Sequence, residues 1–106
     1  MAVDAGVAGG GTVAGHLVAE ADRTLLVVRA CPIALRRLED LRVRPAGIVV
    51  VRERRRSVSW HDIASAGGAP VVAELEIDPA VAAAVDAGLD RRSLPRSFVR
   101  VLDGLR

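Results

Sequence analysis

Three short runs rich in valine, isoleucine and leucine dominate the hydrophobic pattern of the chain. They cover residues 24–28, 47–51 and 71–75, and a fourth, very short candidate covers residues 1–3. None of the three longer runs alternates regularly between apolar and polar residues, which predicts strands buried on both faces. Strands of this kind are typical of a parallel sheet that is covered by helices on its two sides.

Helical patterns separate these runs. The best marked has Asp78 as an N-cap, Pro79 at the first helical position and Gly88 after its end. The predicted helices cover residues 12–21, 32–42, 59–66, 79–87 and 95–105. Alternating strands and helices predict right-handed βαβ units. We therefore expect one α/β domain over residues 1–106, with three layers and a mostly parallel sheet of three to four strands flanked by helices.

Composition restricts the classes of function. Hydrophobic residues make up 51% of the 106 residues and charged residues 26%, which excludes a disordered chain. All 15 cationic residues are arginine, so chemistry that needs a lysine, such as a Schiff base or a P-loop lysine, is excluded. The formal net charge is only +2, and it does not by itself indicate a nucleic-acid partner.

Cysteine content and hydropathy indicate the compartment. Cys31 is the only cysteine, so an internal disulfide is excluded. The longest apolar run, residues 80–85, is too short to span a membrane. The N-terminus lacks the basic segment that begins a secretory signal. We expect a cytoplasmic protein with no membrane partner.

Two N-terminal features are candidates for phosphate chemistry. Gly6 and Gly11 have the separation of a P-loop and precede Thr12, but the P-loop lysine is missing. This stretch either cradles an anion at a helix N-terminus or, as the pattern favours, forms a flexible turn. Asp4 follows the shortest predicted strand, where ligands bind in open α/β sheets. It either holds Mg²⁺, directly or through water, or forms a turn.

Basic residues cluster after the second predicted strand, at residues 52–56. Such a run either contacts the phosphates of a nucleotide or DNA or, more often, lies in a solvated loop. The last predicted helix carries arginines away from its apolar stripe, so it either covers the sheet or, less readily, binds an anionic membrane surface. The spacings of His16, Cys31, His61 and Asp62 fit no metal-binding pattern.

In their order and spacing, several segments resemble the C-terminal half of a MinD/ParA-like P-loop ATPase of the actinobacterial type. Residues 3–6 resemble its strand-plus-acid motif, and residues 21–29 resemble its next strand. Residues 45–51 resemble the strand that leads to the adenine-side loop. Residues 68–88 resemble the tail of the family, with Asp78 and Ala84 at matching positions.

The resemblance implies an incomplete P-loop NTPase fold that lacks the P-loop strand. It makes Asp4 the catalytic and metal-binding residue, near Mg²⁺ and the attacking water. Gly6 and Arg52 become the residues that bind the cofactor ATP, although the family often has asparagine where this chain has Arg52. In the family the P-loop strand lies beside the strand matching residues 24–28. We therefore expect three strands in sequential order, with that edge open for pairing.

Two functional hypotheses follow. The first is a remnant or truncated ATPase of this partitioning or positioning family, not competent for ATP hydrolysis unless a partner chain supplies the P-loop. The second is a non-catalytic interaction module that binds a partner, or a second copy of itself, through its sheet edge or C-terminal helix. DNA binding through Arg54, Arg55 and Arg56 is a weaker third hypothesis.

Overall fold

The computed structural model describes residues 2–7, 12–41, 44–53, 58–88, 92 and 94–105. Within these residues the predicted order of strands and helices is confirmed, and most boundaries differ by one residue. The elements are α1 (Thr12–Glu20), β1 (Leu25–Arg29), α2 (Pro32–Asp40), β2 (Gly47–Arg52), α3 (Trp60–Gly67), β3 (Val71–Glu76), α4 (Pro79–Asp86) and α5 (Arg96–Gly104). None of the helices described here is long and apolar enough to cross a membrane.

The three strands form one parallel sheet in the order β1-β2-β3, as predicted. The register between β2 and β3 shifts between Ile48 and Val49, so that Val72 is an extra residue on β3. Gly47 leaves room for this bulge, because a Cβ atom added there would lie 2.7 Å from a methyl carbon of Val72. A glycine in a strand often marks such a close approach.

One face of the sheet is closed by α2 and α3. Val28, Ile48 and Val50 from the three-strand sheet pack with Leu38 of α2 and Ile63 of α3 in a single buried cluster. At the end of α3 the backbone comes close to the sheet, since a Cβ atom added at Gly67 would lie 2.5 Å from Cδ1 of Ile48. These side chains are the main source of burial, and so of hydrophobic stabilisation, in the domain.

The opposite face is covered unevenly, and here the prediction that all three strands are buried on both faces is wrong. Only β2 is buried on both faces along most of its length. On the opposite face Val49 of β2 is 4% exposed, whereas the paired Val27 of β1 is 65% exposed. The difference arises because β1 is an edge strand and because α5, the helix that packs on this face, contacts β3.

The helix ends follow the predicted capping pattern. The Ser59 hydroxyl accepts a hydrogen bond from the Asp62 N–H at 3.1 Å, and an Asp78 carboxylate oxygen accepts one from the Ala80 N–H at 2.9 Å. Gly68 ends α3 in the left-handed conformation that glycine adopts most readily. The sulfur of Cys31 caps α2 by accepting a hydrogen bond from the Ala34 N–H at 3.5 Å.

The fourth strand candidate is not formed among the residues that the structure describes. Met1 lies outside the described residues, and Ala2 and Val3 belong to no strand. Val3 is exposed, at 57% of its surface. Three residues make too few ladder hydrogen bonds to hold a strand in place, so the described sheet has three strands.

Candidate functional site

The carboxyl ends of the three strands lie at one edge of the sheet because the strands are parallel. Charged side chains meet there in two ion pairs. Arg29, at the end of β1, pairs with Glu53, which follows β2. Arg52, at the end of β2, pairs with Glu74 of β3. This edge, where ligands bind in open α/β sheets, is thus occupied by charges that neutralise one another in pairs.

Arg52 faces inward from this edge and is held at two points. Its Nε donates to Glu74, and its Nη1 donates to the backbone carbonyl of Val58 at 2.8 Å. Only 22% of the side-chain surface is exposed. The predicted nucleotide-binding arginine therefore links β2, β3 and the start of α3. Its role toward a nucleotide stays a prediction.

Asp4 and Gly6 lie together in one turn of the N-terminal segment. The Gly6 N–H donates to Oδ1 of Asp4 at 2.9 Å, and Gly6 has a φ of 81°. An aspartate that bonds the backbone two residues further on is the turn-forming arrangement considered above. Both residues are accessible, and the hydrogen bonds of Asp4 do not join it to Arg52.

These residues by themselves do not make a site for Mg²⁺ and ATP. Mg²⁺ requires six oxygen ligands in a regular arrangement and usually combines one or two carboxylates with substrate phosphates. Asp4 supplies one exposed carboxylate, and one of its oxygens already accepts a hydrogen bond. Among the described residues, no three His, Cys, Asp or Glu side chains are grouped as a metal site would need. The remaining ligands would have to come from a nucleotide or a second chain.

A cleft of about 610 Å³ lies beside the carboxyl end of β3, between α4 and α5. This α4–α5 cleft lies within the size range of protein ligand sites. Its acidic lining consists of Glu53, Glu74, Glu76 and Asp78. Its apolar lining includes Leu75, Ile77, Val81, Phe98 and Val101. The described lining contains no arginine, although arginine is the most frequent charged residue of the chain.

This cleft was not predicted from the sequence. One signal was present in the alternation of Glu74, Leu75, Glu76 and Ile77 immediately before the capped start of α4. That alternation indicates a half-exposed edge strand, with acidic and apolar residues side by side. The position of Phe98 and Val101 opposite this strand depends on how α5 packs against β3, which the local pattern does not specify.

The outer edge of β1 is unpaired in the described part of the chain. Ala30 donates its N–H to Val51 at 2.9 Å, and Thr24 accepts from Ala46 at 2.8 Å, so the even-numbered residues face β2. Backbone groups of successive strand residues point to opposite edges. The N–H groups of Leu25, Val27 and Arg29 therefore point away from the sheet, as an edge open for pairing requires.

Two predicted features lie outside the described residues. Gly11, the second glycine of the P-loop-like stretch, is one, and the arginines at positions 54–56 are the other. DNA binding by those arginines stays a prediction, which a salt titration of DNA affinity would test.

Fold and site together define a small α/β domain with a three-stranded parallel sheet, a first strand whose outer edge no described residue pairs with, and an acidic cleft beside the third strand. Comparison with protein-family models, with curated proteins and with solved structures finds no significant match.

Proposed function

We propose that this chain is a non-catalytic interaction module that receives an extended strand of another chain along the outer edge of β1. The observation that carries the proposal is the row of outward backbone N–H groups at Leu25, Val27 and Arg29. An unpaired edge of this kind is a template for strand addition.

The surface next to this edge also suits a partner. Val27 is 65% exposed on the face that α2 and α3 leave open, beside the buried Val49. A strand paired with β1 would place an alternate side chain against Val27 and remove both from water. Burial of an exposed valine contributes about 1.5 kcal/mol or more, which adds to the backbone hydrogen bonds of a new ladder.

The partner takes one of two forms under this proposal. It is a second copy of this chain, which gives a homodimer, or it is a P-loop-bearing chain whose strand occupies the position that the MinD/ParA resemblance implies beside β1. In the second form the chain is a remnant or truncated member of that ATPase family. Asp4 would then lie toward Mg²⁺ and ATP supplied with the partner's P-loop.

Amide hydrogen exchange tests the proposal with an internal control in one strand. In the dilute chain the amides of Leu25 and Val27 should exchange fast, and those of Leu26 and Val28, which face β2, should be protected. At high protein concentration, or with an added P-loop-bearing partner, the Leu25 and Val27 amides should become protected. The proposal is wrong if a complex forms while these two amides still exchange fast, or if the chain stays monomeric and partnerless throughout.

Val27→Pro removes one outward N–H and leaves the ladder with β2 intact, because the N–H of Val27 faces the free edge. We expect this variant to keep its circular dichroism spectrum and to lose the complex in size-exclusion chromatography with light scattering. Val27→Lys keeps the backbone N–H and adds a charge at the edge, so it serves as the milder variant if proline weakens the fold. Unchanged association of both variants would contradict the proposal.

A titration with Mg²⁺ and ATP separates the two forms of partner. The second form predicts nucleotide binding only in the presence of the P-loop-bearing chain, and weaker binding when Asp4→Ala is introduced. The homodimer form predicts no effect of Asp4→Ala on association.

A further inference from the structure

The charged residues that line the α4–α5 cleft are acidic, whereas the chain as a whole is slightly basic. The chain as a whole has a formal net charge of +2, yet four carboxylates and no described cation line this cleft. Two of the four, Glu53 and Glu74, have arginine partners outside the lining, and Asp78 caps α4. Glu76 is exposed, and its side chain has no hydrogen bond or ion pair with the described residues. Among the described residues, Glu76 and Asp78 therefore add negative charge to the cleft that no described arginine pairs with.

The floor of the cleft is apolar. Leu75 and Ile77 come from β3 and its extension, and Phe98 and Val101 come from the facing side of α5. Ile77 is half exposed, although Leu75, two residues earlier on β3, is partly covered. Acidic residues on an edge strand also discourage aggregation between sheets, but that role does not need an apolar cavity beside them.

We infer that the α4–α5 cleft binds a basic, amphipathic peptide segment of a partner protein. One apolar side chain of the segment would lie on Phe98 and Val101, and flanking arginine or lysine residues would lie near Glu76. Charge complementarity points to a basic partner, since an acidic segment would meet the carboxylates of Glu76 and Asp78, which form no ion pair with the described residues. The phenyl ring of Phe98 adds a surface on which a guanidinium group can stack.

Three labelled peptides of equal length test the chemistry of recognition by fluorescence anisotropy. The first alternates pairs of arginine and leucine, the second replaces each leucine with serine, and the third replaces each arginine with glutamate. We expect saturable binding of the first only, weakening as salt is added. Equal binding of the serine peptide would reduce the interaction to nonspecific charge attraction and overturn the proposal. Binding of the acidic peptide, or no saturable binding of the first, would also overturn it.

Two charge reversals of equal size test the location. Glu76→Arg changes the cleft, and the matched control Glu39→Arg changes an exposed glutamate on α2. We expect Glu76→Arg to weaken binding of the arginine–leucine peptide about tenfold, and Glu39→Arg to change it less than about twofold, as is typical of local against remote charges. Equal weakening by the two variants would contradict the proposal. Circular dichroism of both variants verifies that the fold is retained.

Backbone amide shifts in NMR spectra distinguish this cleft from the β1 edge. Binding as inferred shifts the signals of Ile77, Ser97 and Val101 and leaves Leu25 and Val27 unchanged. Shifts confined to β1 would assign the peptide to the edge proposed above and would refute the cleft as its site. The two proposals therefore succeed or fail separately.

Discussion

The two faces of the sheet differ in how completely they are buried. On one face, Ile48 and Val50 are fully inaccessible beneath α2 and α3, and on the other, Val27 is 65% exposed while Val49 is buried. The strand order accounts for this difference. In a parallel sheet that runs 1-2-3, successive crossovers of the same hand place both connecting helices on the same face. The other face depends on helices outside the two crossovers, and α5 packs there on β3 rather than on β1.

This asymmetry places the two candidate binding surfaces. In a sheet with the strand order 1-2-3, the two crossover helices cover one face, and the first strand remains at an edge. The β1 edge follows from that topology, and the α4–α5 cleft forms where the chain turns back after β3. Both candidate binding surfaces therefore lie on parts of the sheet that the two crossover helices do not cover.

The largest expected effect comes from removing a buried side chain on the closed face. Ile63 is 1% exposed and packs in the cluster beneath α3. Ile63→Ala should lower the free energy of unfolding by about 2–5 kcal/mol, through lost burial and the cavity that remains. Val27→Ala on the open face is the control and should change it by less than about 0.5 kcal/mol. Urea unfolding followed by circular dichroism measures both, and similar losses would mean that the open face is covered.

The second expected effect concerns the close approach of α3 to β2. Gly67→Ala places a Cβ atom 2.5 Å from Cδ1 of Ile48, a side chain with no accessible surface and little space in which to move. We expect a loss of about 1–2 kcal/mol, since overpacking a core outweighs the better helix propensity of alanine.

A double-mutant cycle identifies the cause of that loss. Ile48→Val removes the Cδ1 atom, so Gly67→Ala in this background should cost about 1 kcal/mol less than in the original chain. Gly15→Ala, in α1 where an added Cβ meets nothing within 4 Å, should instead stabilise the chain by about 0.5–1 kcal/mol. If Gly67→Ala costs the same free energy of unfolding in both backgrounds, the contact with Ile48 is not the cause of the loss.

The elements and their order were predictable because their signals are local. Asp78, Pro79 and Gly88 mark the limits of α4, and the valine-rich runs mark the strands, whatever the rest of the chain does. Burial on both faces was not predictable from the same runs. Val27 and Val49 belong to similar stretches of sequence, and only the position of each strand in the sheet makes one exposed and the other buried.

The candidate site was predictable in part. The sequence indicates that Arg52 lies at the carboxyl end of a strand, and the structure places it there. Its partners, Glu74 and the carbonyl of Val58, depend on the register of β3 and on the path of the chain toward α3. The cleft beside Phe98 depends in the same way on the packing of α5, because its lining combines residues as far apart in the chain as Glu53 and Val101.

The smallest expected effect compares the two arginines at the strand ends, one on each face. Arg52 lies on the face of α2 and α3, bonded to Glu74 and to Val58, and Arg29 lies on the open face, paired with Glu53 and 65% exposed. Arg52→Met should cost about 1–1.5 kcal/mol, because it leaves a part-buried carbonyl without its donor. Arg29→Met should cost less than about 0.5 kcal/mol, since exposed ion pairs contribute little. The two variants remove the same charge, so a shared electrostatic effect cancels in their difference. Urea unfolding at low and at high salt measures both losses. If the two variants lose equal stability at both salt concentrations, the hydrogen bond from Arg52 to Val58 does not account for a difference between the closed face and the open face.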